Sequence, residues 1–482
     1  MRLYLKKQCL DMLDTLDEAE AEIGRLLKGK DGNTVLSLLE QCQESAITIG
    51  NAIDSACAPA GNGDASGNED GADGGAEAPA EENEGSSAVH ALETYCELLY
   101  QLHEAIAAGT SVNEASMLKK LRAQVKKCRN ELKNTVSTQR EVVFLPYKAS
   151  MWDSLEGFWK KADADPDVNA VVIPIPYYDK MPDGTFGAIH YEGDLYPKDV
   201  PVVNYEDYDF EAKHPDQIYI HNPYDGGNFV TSVHPFFYSA NLKKFTDDLT
   251  YVPYFVLGEP ANVDDPQALS HMAHFVQTYG VFNADHVIVQ SENMRKAYIT
   301  ILVACSSEGE ATRPYWEAKI SGAGSSKLEK AEHLSKVDYV LPPEWEALIF
   351  RPDGTRKKTI LYNTSVSTLL KENVAYITKI VDVLNVFKQN QNNVILWWRP
   401  HPLMMATLTS MRPELAPIFD ALVNQYRAEG WGIYDDTPDL DRAIACTDAY
   451  YGDPSSLVEL YQKTKKPIMI ENCQVLERKA EE

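Results

Sequence analysis

The sequence predicts an α/β protein built as two Rossmann-like lobes with a cleft between them, preceded by an α-helical N-terminal module. Three observations carry this. From Glu141 onward, short apolar runs alternate with amphipathic stretches, the β-α-β order that makes a parallel sheet. The alternation restarts after Pro342-Pro343-Glu344-Trp345, which gives a second lobe. Ahead of Glu141 the apolar residues recur only at helical spacing.

Taken in order, Leu10, Leu13, Leu16, Ile23 and Leu26, then Leu36, Leu39 and Cys42, define a helical arm over 1–58. The tract 59–87 holds Gly, Ala, Asp, Glu and Asn, with no basic residue and no large apolar one. It cannot bury enough surface to offset its ordering entropy and is expected to be a disordered acidic linker. Val89, Leu92, Tyr95, Leu99, Leu102 and Ile106, then Leu118, Leu121, Val125, Cys128 and Leu132, make 88–138 a helical hairpin or coiled-coil segment. These helices either pack as a bundle or form a docking or dimerising arm, a route to a homo-oligomer.

The first lobe is expected over 140–340. Its strands are Val142 to Tyr147, Ala170 to Ile175, Gln217 to His221, Tyr251 to Leu257 and His286 to Gln290. Its helices are Met151 to Lys161, Leu269 to Phe282 and Glu292 to Leu302. The second lobe, 341–482, has strands at Lys358 to Tyr362, Val394 to Trp398, Trp431 to Tyr434 and Ala449 to Tyr451. Helices are expected at Leu369 to Phe387, Pro413 to Tyr426 and Leu440 to Cys446. The aromatic clusters Tyr177-Tyr178 and Phe236-Phe237-Tyr238 read as core or lobe-interface packing.

Lys+Arg 45 against Asp+Glu 72 leaves a net charge of −27, which argues against general binding of nucleic acid or an anionic membrane. Any anionic ligand is then held by local dipoles and a few cations. The eight cysteines are scattered without a Cys-x-x-Cys pair, which fits a reducing cytoplasm and neither a disulfide scaffold nor a zinc site. No signal peptide is visible, and no run approaches the roughly 20 apolar residues of a membrane span. Asp435-Asp436 is read as a loop cap, so no metal or other cofactor is expected.

Two short units carry the chemistry. Arg399-Pro400-His401-Pro402 ends the strand Val394 to Trp398, and Gly452-Asp453-Pro454-Ser455-Ser456 lies between a strand and an amphipathic helix. In a parallel sheet, strand C-termini and helix N-termini collect on one edge, where a diphosphate binds. Asp453 is also a natural N-cap with Pro454 at the first helical position. Glu459, one turn beyond Ser455, bonds a donor hydroxyl or is an exposed helix charge.

With these motifs, the closing Lys466-Pro467-Ile468 and, more weakly, Gly322-Ala323-Gly324-Ser325-Ser326-Lys327, the second half resembles the CDP-glycerol glycerophosphotransferase family. These are the bacterial teichoic-acid primases and polymerases of GT-B fold; the family usually reads Thr/Ser-Asp-Tyr-Ser-Ser at the second unit. The resemblance covers roughly 140 to 475 and leaves out the helical arm. It implies that Arg399, His401, Ser455 and Ser456, with Asp453 beside them, hold the donor's diphosphate. The family's Trp-His-Gly motif, whose His is taken as the base, is absent. His221 and His234 are the two candidates, since a neutral imidazole can take a proton from an attacking hydroxyl. The implied reaction moves glycerol phosphate or a similar unit from CDP-glycerol or another nucleotide-diphosphate donor. The acceptor is a polyol phosphate or glycan, free or lipid-linked, and the place is the cytoplasm or the inner face of the cell membrane. Two other readings stay open: a nucleotide-sugar glycosyltransferase, and a catalytically impaired nucleotide-binding assembly protein.

Overall fold

The computed structural model describes residues 1–29, 31–57, 84–110 and 113–471. Most of the tract 59–87 and Cys473 therefore lie outside the described residues; of that tract, Ser86 and Ser87 are helical rather than linker. The chain divides into two compact units, Met1–Glu141 with Pro166–Asn169, and Val142–Asp165 with Ala170–Glu482.

The first unit holds α1 (Leu3–Gly29), α2 (Gly32–Cys57), α3 (Ser86–Ala107) and α4 (Glu114–Thr135). Each packs on its two neighbours in a closed ring, α1 against α2 and α4, α3 against α2 and α4. The expected apolar seams fill the core: Leu13, Leu16, Leu39, Cys42, Leu99 and Leu121 are all buried, though on α2 it is Val35 rather than Leu36 that turns inward. Asn113 caps α4 by accepting from the Ser116 N–H at 3.1 Å.

One polar group interrupts this core. Glu20 on α1 is 0% exposed beside Tyr95, with no hydrogen bond of good geometry to either carboxylate oxygen. Burial raises its pKa from the ordinary 4.5 to about 7. The folded state thus holds the proton more tightly than the unfolded chain. The Glu20 contribution to stability is expected to be most favourable below pH 4.5, to fall by about 3 kcal/mol as pH rises to 7, and to level off above. Hydrogen-exchange protection of the α1–α4 amides at pH 5 and pH 8 measures this; Glu20→Gln should abolish the difference.

After α4 the chain forms β1 (Arg140–Leu145), β2 (Val168–Val172), β3 (Tyr177–Lys180), β4 (Phe186–His190) and β5 (Gln217–Ile220). It continues through β6 (Thr231–Val233), β7 (Leu249–Tyr251), β8 (His286–Ile288) and β9 (Ile320–Ser321). Six of these make a sheet in the order β2-β1-β5-β7-β8-β9, parallel in every pairing from β1 through β9. A second parallel sheet, β12-β11-β10-β13-β14, comes from β10 (Lys358–Thr364), β11 (Val394–Pro400), β12 (Ile433–Tyr434), β13 (Ala449–Gly452) and β14 (Ile468–Ile470). Counted within the second sheet, the order is 3-2-1-4-5, that of a dinucleotide-binding doubly wound sheet. The first sheet reads 2-1-3-4-5-6, the flavodoxin-like pattern with one added strand.

Three expectations need correction. The strand expected over Tyr251 to Leu257 stops at Tyr251, since Pro253 cannot continue a ladder. The helix expected over Leu269 to Phe282 breaks before Tyr279, where the Gly280 amide donates to the Pro223 carbonyl and the two backbones approach too closely for a side chain. The helix Leu369 to Phe387 is two, Val366–Glu372 and Val374–Gln389, parted at Asn373 with φ 51°. A small antiparallel sheet, β4-β3-β6, is an addition that no clear alternation announced.

Candidate functional site

Strand β10 is the middle of the second sheet, with β11 and β13 on either side. The chain leaves β10 toward β11 and β12, then crosses to β13, so the strand order reverses between β10 and β13. That reversal opens a crevice at the carboxyl edge. Three segments meet there: Asn363-Thr364-Ser365 at the end of β10, Arg399-Pro400-His401 at the end of β11, and Gly452 to Ser456 at the end of β13. The middle segment ties the other two together. The His401 N–H donates to the Thr364 carbonyl at 2.9 Å, and the Asn363 amide donates to Ser455 Oγ at 2.9 Å. Asn363 was missed in the sequence; its only signal is a polar residue directly after the apolar run Ile360-Leu361-Tyr362. Gly452 has φ +141°, and a Cβ there would sit 2.2 Å from the Asn363 carbonyl oxygen. No other residue lets β13 pass so close to β10.

The expected diphosphate residues separate into two groups. Ser455 is the N-cap of the helix Ser456–Lys463 and no side chain caps its first amides; Ser456 is exposed. His401 is half-buried, and its Nδ1 accepts from the Leu403 N–H at 3.1 Å, which puts the proton on Nε2. Burial first, and then the Lys148 charge, lowers its pKa to about 4, so at neutral pH it is an uncharged donor. These three remain partly exposed at the crevice edge.

Arg399 and Asp453 do not. Arg399 is 5% exposed, ion-pairs with the fully buried Asp435 at 2.8 Å and donates to the Thr437 carbonyl at 2.7 Å. Its guanidinium is spent on the β11–β12 junction, because its position in β11 turns it to the same face as Trp397. Asp453 is 1% exposed and accepts from the Ser365 N–H at 2.6 Å and from the Tyr376 hydroxyl. It braces the β10 and β13 ends rather than capping the helix, whose cap lies two residues on. Glu459 is half-buried against Gly258 and Glu259 of the first lobe, and burial, then the Glu259 charge, raises its pKa. It is neither free nor fully exposed.

In the first sheet the order reverses between β1 and β5, and the two candidate bases fare differently. His221, after β5, is 0% exposed; its Nε2 accepts from the Tyr147 N–H at 3.0 Å. Ser154 gives its hydroxyl proton to the Met151 carbonyl at 2.7 Å, so His221 Nδ1, 3.0 Å from that oxygen, carries the hydrogen. Burial, then Lys327, lowers its pKa to about 3. Both ring nitrogens have partners, the Tyr147 N–H and Ser154 Oγ, so His221 is a staple across the β1–β5 crevice. His234, half-buried, uses Nδ1 to accept from the Phe236 N–H at 3.2 Å and lies 5.8 Å from the Tyr178 ring. No bond to its Nε2 is seen among the described residues.

A cation that the sequence did not single out stands opposite. Lys148, just past β1, is 7% exposed; it donates to the Tyr177 hydroxyl at 2.6 Å, which donates to Glu192 at 2.7 Å. Burial lowers its pKa, with Glu192 opposing, and its charge reaches His401 in the other lobe. The lobes also join away from the crevice. Lys330, on the helix Ser326–Glu332, pairs with Glu156 of the helix Asp153–Asp163 at 2.6 Å and with Asp441 of the second lobe at 2.8 Å.

No protein-family model matches the chain, and no curated protein does. Among solved structures it is similar to the S. aureus MnaA–UDP co-structure, with 11% identity, TM-score 0.40, and 69% of this chain and 79% of that chain covered. Methanocaldococcus jannaschii UDP-GlcNAc 2-epimerase in complex with UDP-GlcNAc and UDP gives 10%, 0.40, 68% and 83%. The catalytic domain of Arabidopsis thaliana starch synthase IV, bound to ADP and acarbose, gives 10%, 0.29, 65% and 78%. Likeness of this degree carries no argument; the fold rests on the strand orders above. Among the described residues no helix is long and apolar enough to cross a membrane.

Proposed function

We propose that the chain is a transferase that binds a nucleotide-diphosphate-linked donor, a nucleotide sugar first and CDP-glycerol second, at the carboxyl edge of the second sheet. The observation that supports this is the set of unspent donors at the β10/β13 crevice: His401 Nε2–H, the Ser456 hydroxyl and the uncapped amides of the helix Ser456–Lys463. Such groups favour a diphosphate most as negative charge grows on it during departure of the nucleotide. Lys148 supplies the opposing cation from the first lobe, so closure of the lobes completes the site. His234 is the imidazole we assign to the acceptor hydroxyl's proton.

A thermal-shift panel of UDP, UDP-GlcNAc, ADP-glucose, CDP-glycerol and CMP tests the reading. A diphosphate ligand at a hundredfold excess over Kd should stabilise by about 2.7 kcal/mol, and CMP by clearly less. His401→Ala should weaken the best ligand by roughly ten- to a hundredfold, the worth of one hydrogen bond to a charged group. If no nucleotide diphosphate shifts the melting temperature, the assignment is wrong; if CDP-glycerol alone does, the polyol-phosphate reading takes its place.

A further inference from the structure

The helical unit carries a groove that the proposed chemistry does not use. It lies between α2 and α3, has a volume of about 370 Å³, and runs from Gln43 and Tyr100 to Asp54 and Val89, about 16 Å or three helical turns. Its floor is apolar, with Ala46 and Leu92 buried. Ile47 and Tyr100 stand on its flanks 50% and 51% exposed, which adds apolar surface to the floor. Its rim is acidic: Asp54, Glu93 and Glu97 are exposed, and none of the lining residues is a cation.

We infer that this groove docks one cationic amphipathic helix of another protein, its apolar side on Ile47, Leu92 and Tyr100 and its Lys or Arg side chains against Asp54, Glu93 and Glu97. Helix-in-groove recognition uses an apolar floor for affinity, and a rim of one charge selects a partner of the other. Two occupants from this chain fit worse. Residues 59–87 contain no cation and no large apolar side chain, so the rim repels them and they offer the floor nothing. A second copy's α4 has the charge, with Lys119, Lys126 and Lys133 in a row on its exposed side, but that side carries only Ala123 and Asn130 between them and no exposed large apolar residue.

The probe is a fluorescein-labelled 18-residue helical peptide of Leu and Lys, titrated into the full-length chain at 150 mM salt, with a Leu/Glu peptide as control. Saturable one-site binding is expected for the Leu/Lys peptide only. Glu93→Lys with Glu97→Lys should weaken it at least tenfold. Ile47→Asp and, separately, Tyr100→Asp should do the same although each makes the protein more acidic; both side chains are half-exposed, so the fold tolerates the changes. Unchanged or tighter binding by the two Asp variants would mean that the peptide only follows the net charge, and the inference fails. It fails equally if the Leu/Lys peptide does not bind, or if sedimentation shows a dimer that Ile47→Asp dissociates, which would make a second copy the occupant.

Discussion

Replacing Asp435 with Ala should destabilise the second unit by about 3–5 kcal/mol, the cost of stranding a buried charge. Asp435 is 0% exposed and is the ion-pair partner of Arg399 at 2.8 Å. It also accepts from Trp397 Nε1 at 2.9 Å, and from the N–H and hydroxyl of Thr437 at 3.0 and 2.7 Å. Its loss leaves a guanidinium 5% exposed, with the Thr437 carbonyl as its remaining partner among the described residues. Urea unfolding followed by tryptophan emission reads the change, since Trp397 and Trp398 lie in the same strand. An Arg399→Met, Asp435→Asn double variant should recover part of the stability, because it removes the stranded charge and keeps an acceptor for Trp397 Nε1 and Thr437. The same double variant decides what Arg399 does: nucleotide affinity should stay within about threefold of the parent, around 0.7 kcal/mol. A loss of a hundredfold with stability restored would return Arg399 to the donor site.

The second large effect concerns the two histidines, whose variants should part. His234→Ala is expected to lower kcat by about 10²–10⁴-fold on a working donor–acceptor pair while leaving the nucleotide thermal shift unchanged, since a general base acts in the transition state and adds little to ground-state binding. His221→Ala should instead unfold more easily, because it leaves the buried Tyr147 N–H and the Ser154 hydroxyl facing a cavity. His221→Asn, which can still accept from Tyr147, should regain part of that stability. Full turnover by His234→Ala would remove it as the base, and a His221→Ala protein of normal stability that no longer turns over would reinstate the other candidate.

The sheets were legible in the sequence because their strands are short and apolar and bounded by prolines and polar residues: Val394 to Trp398 was found within two residues of β11, and Leu440–Cys446 matched its helix at both ends. The placing of Arg399–His401 beside Asp453–Ser456 was legible too, since parallel strands end on one edge. What one residue does at that edge was not. Arg399 follows an indole in β11, and alternation along a strand sends it inward to Asp435, a partner 36 residues away that only the fold supplies. His221 and His234 look alike as strand-end histidines; a serine 67 residues earlier in the chain consumes one of them. Nothing local in the sequence distinguishes Lys148, because its partners Tyr177 and Glu192 come from the small antiparallel insertion and the turn that follows it.

Gly452 carries a consequence for how relatives of this protein would be found. Serines at a helix start can drift to threonine, and a histidine donor can be replaced by asparagine, without moving a strand. A side chain at Gly452 would have to occupy the space of the Asn363 carbonyl, 2.2 Å away. Distant homologues should therefore share this glycine before they share the Ser-Ser pair, and a search pattern anchored on Gly452 at the end of the Ala449-Tyr450-Tyr451 run should reach further than one anchored on Ser455 and Ser456 alone.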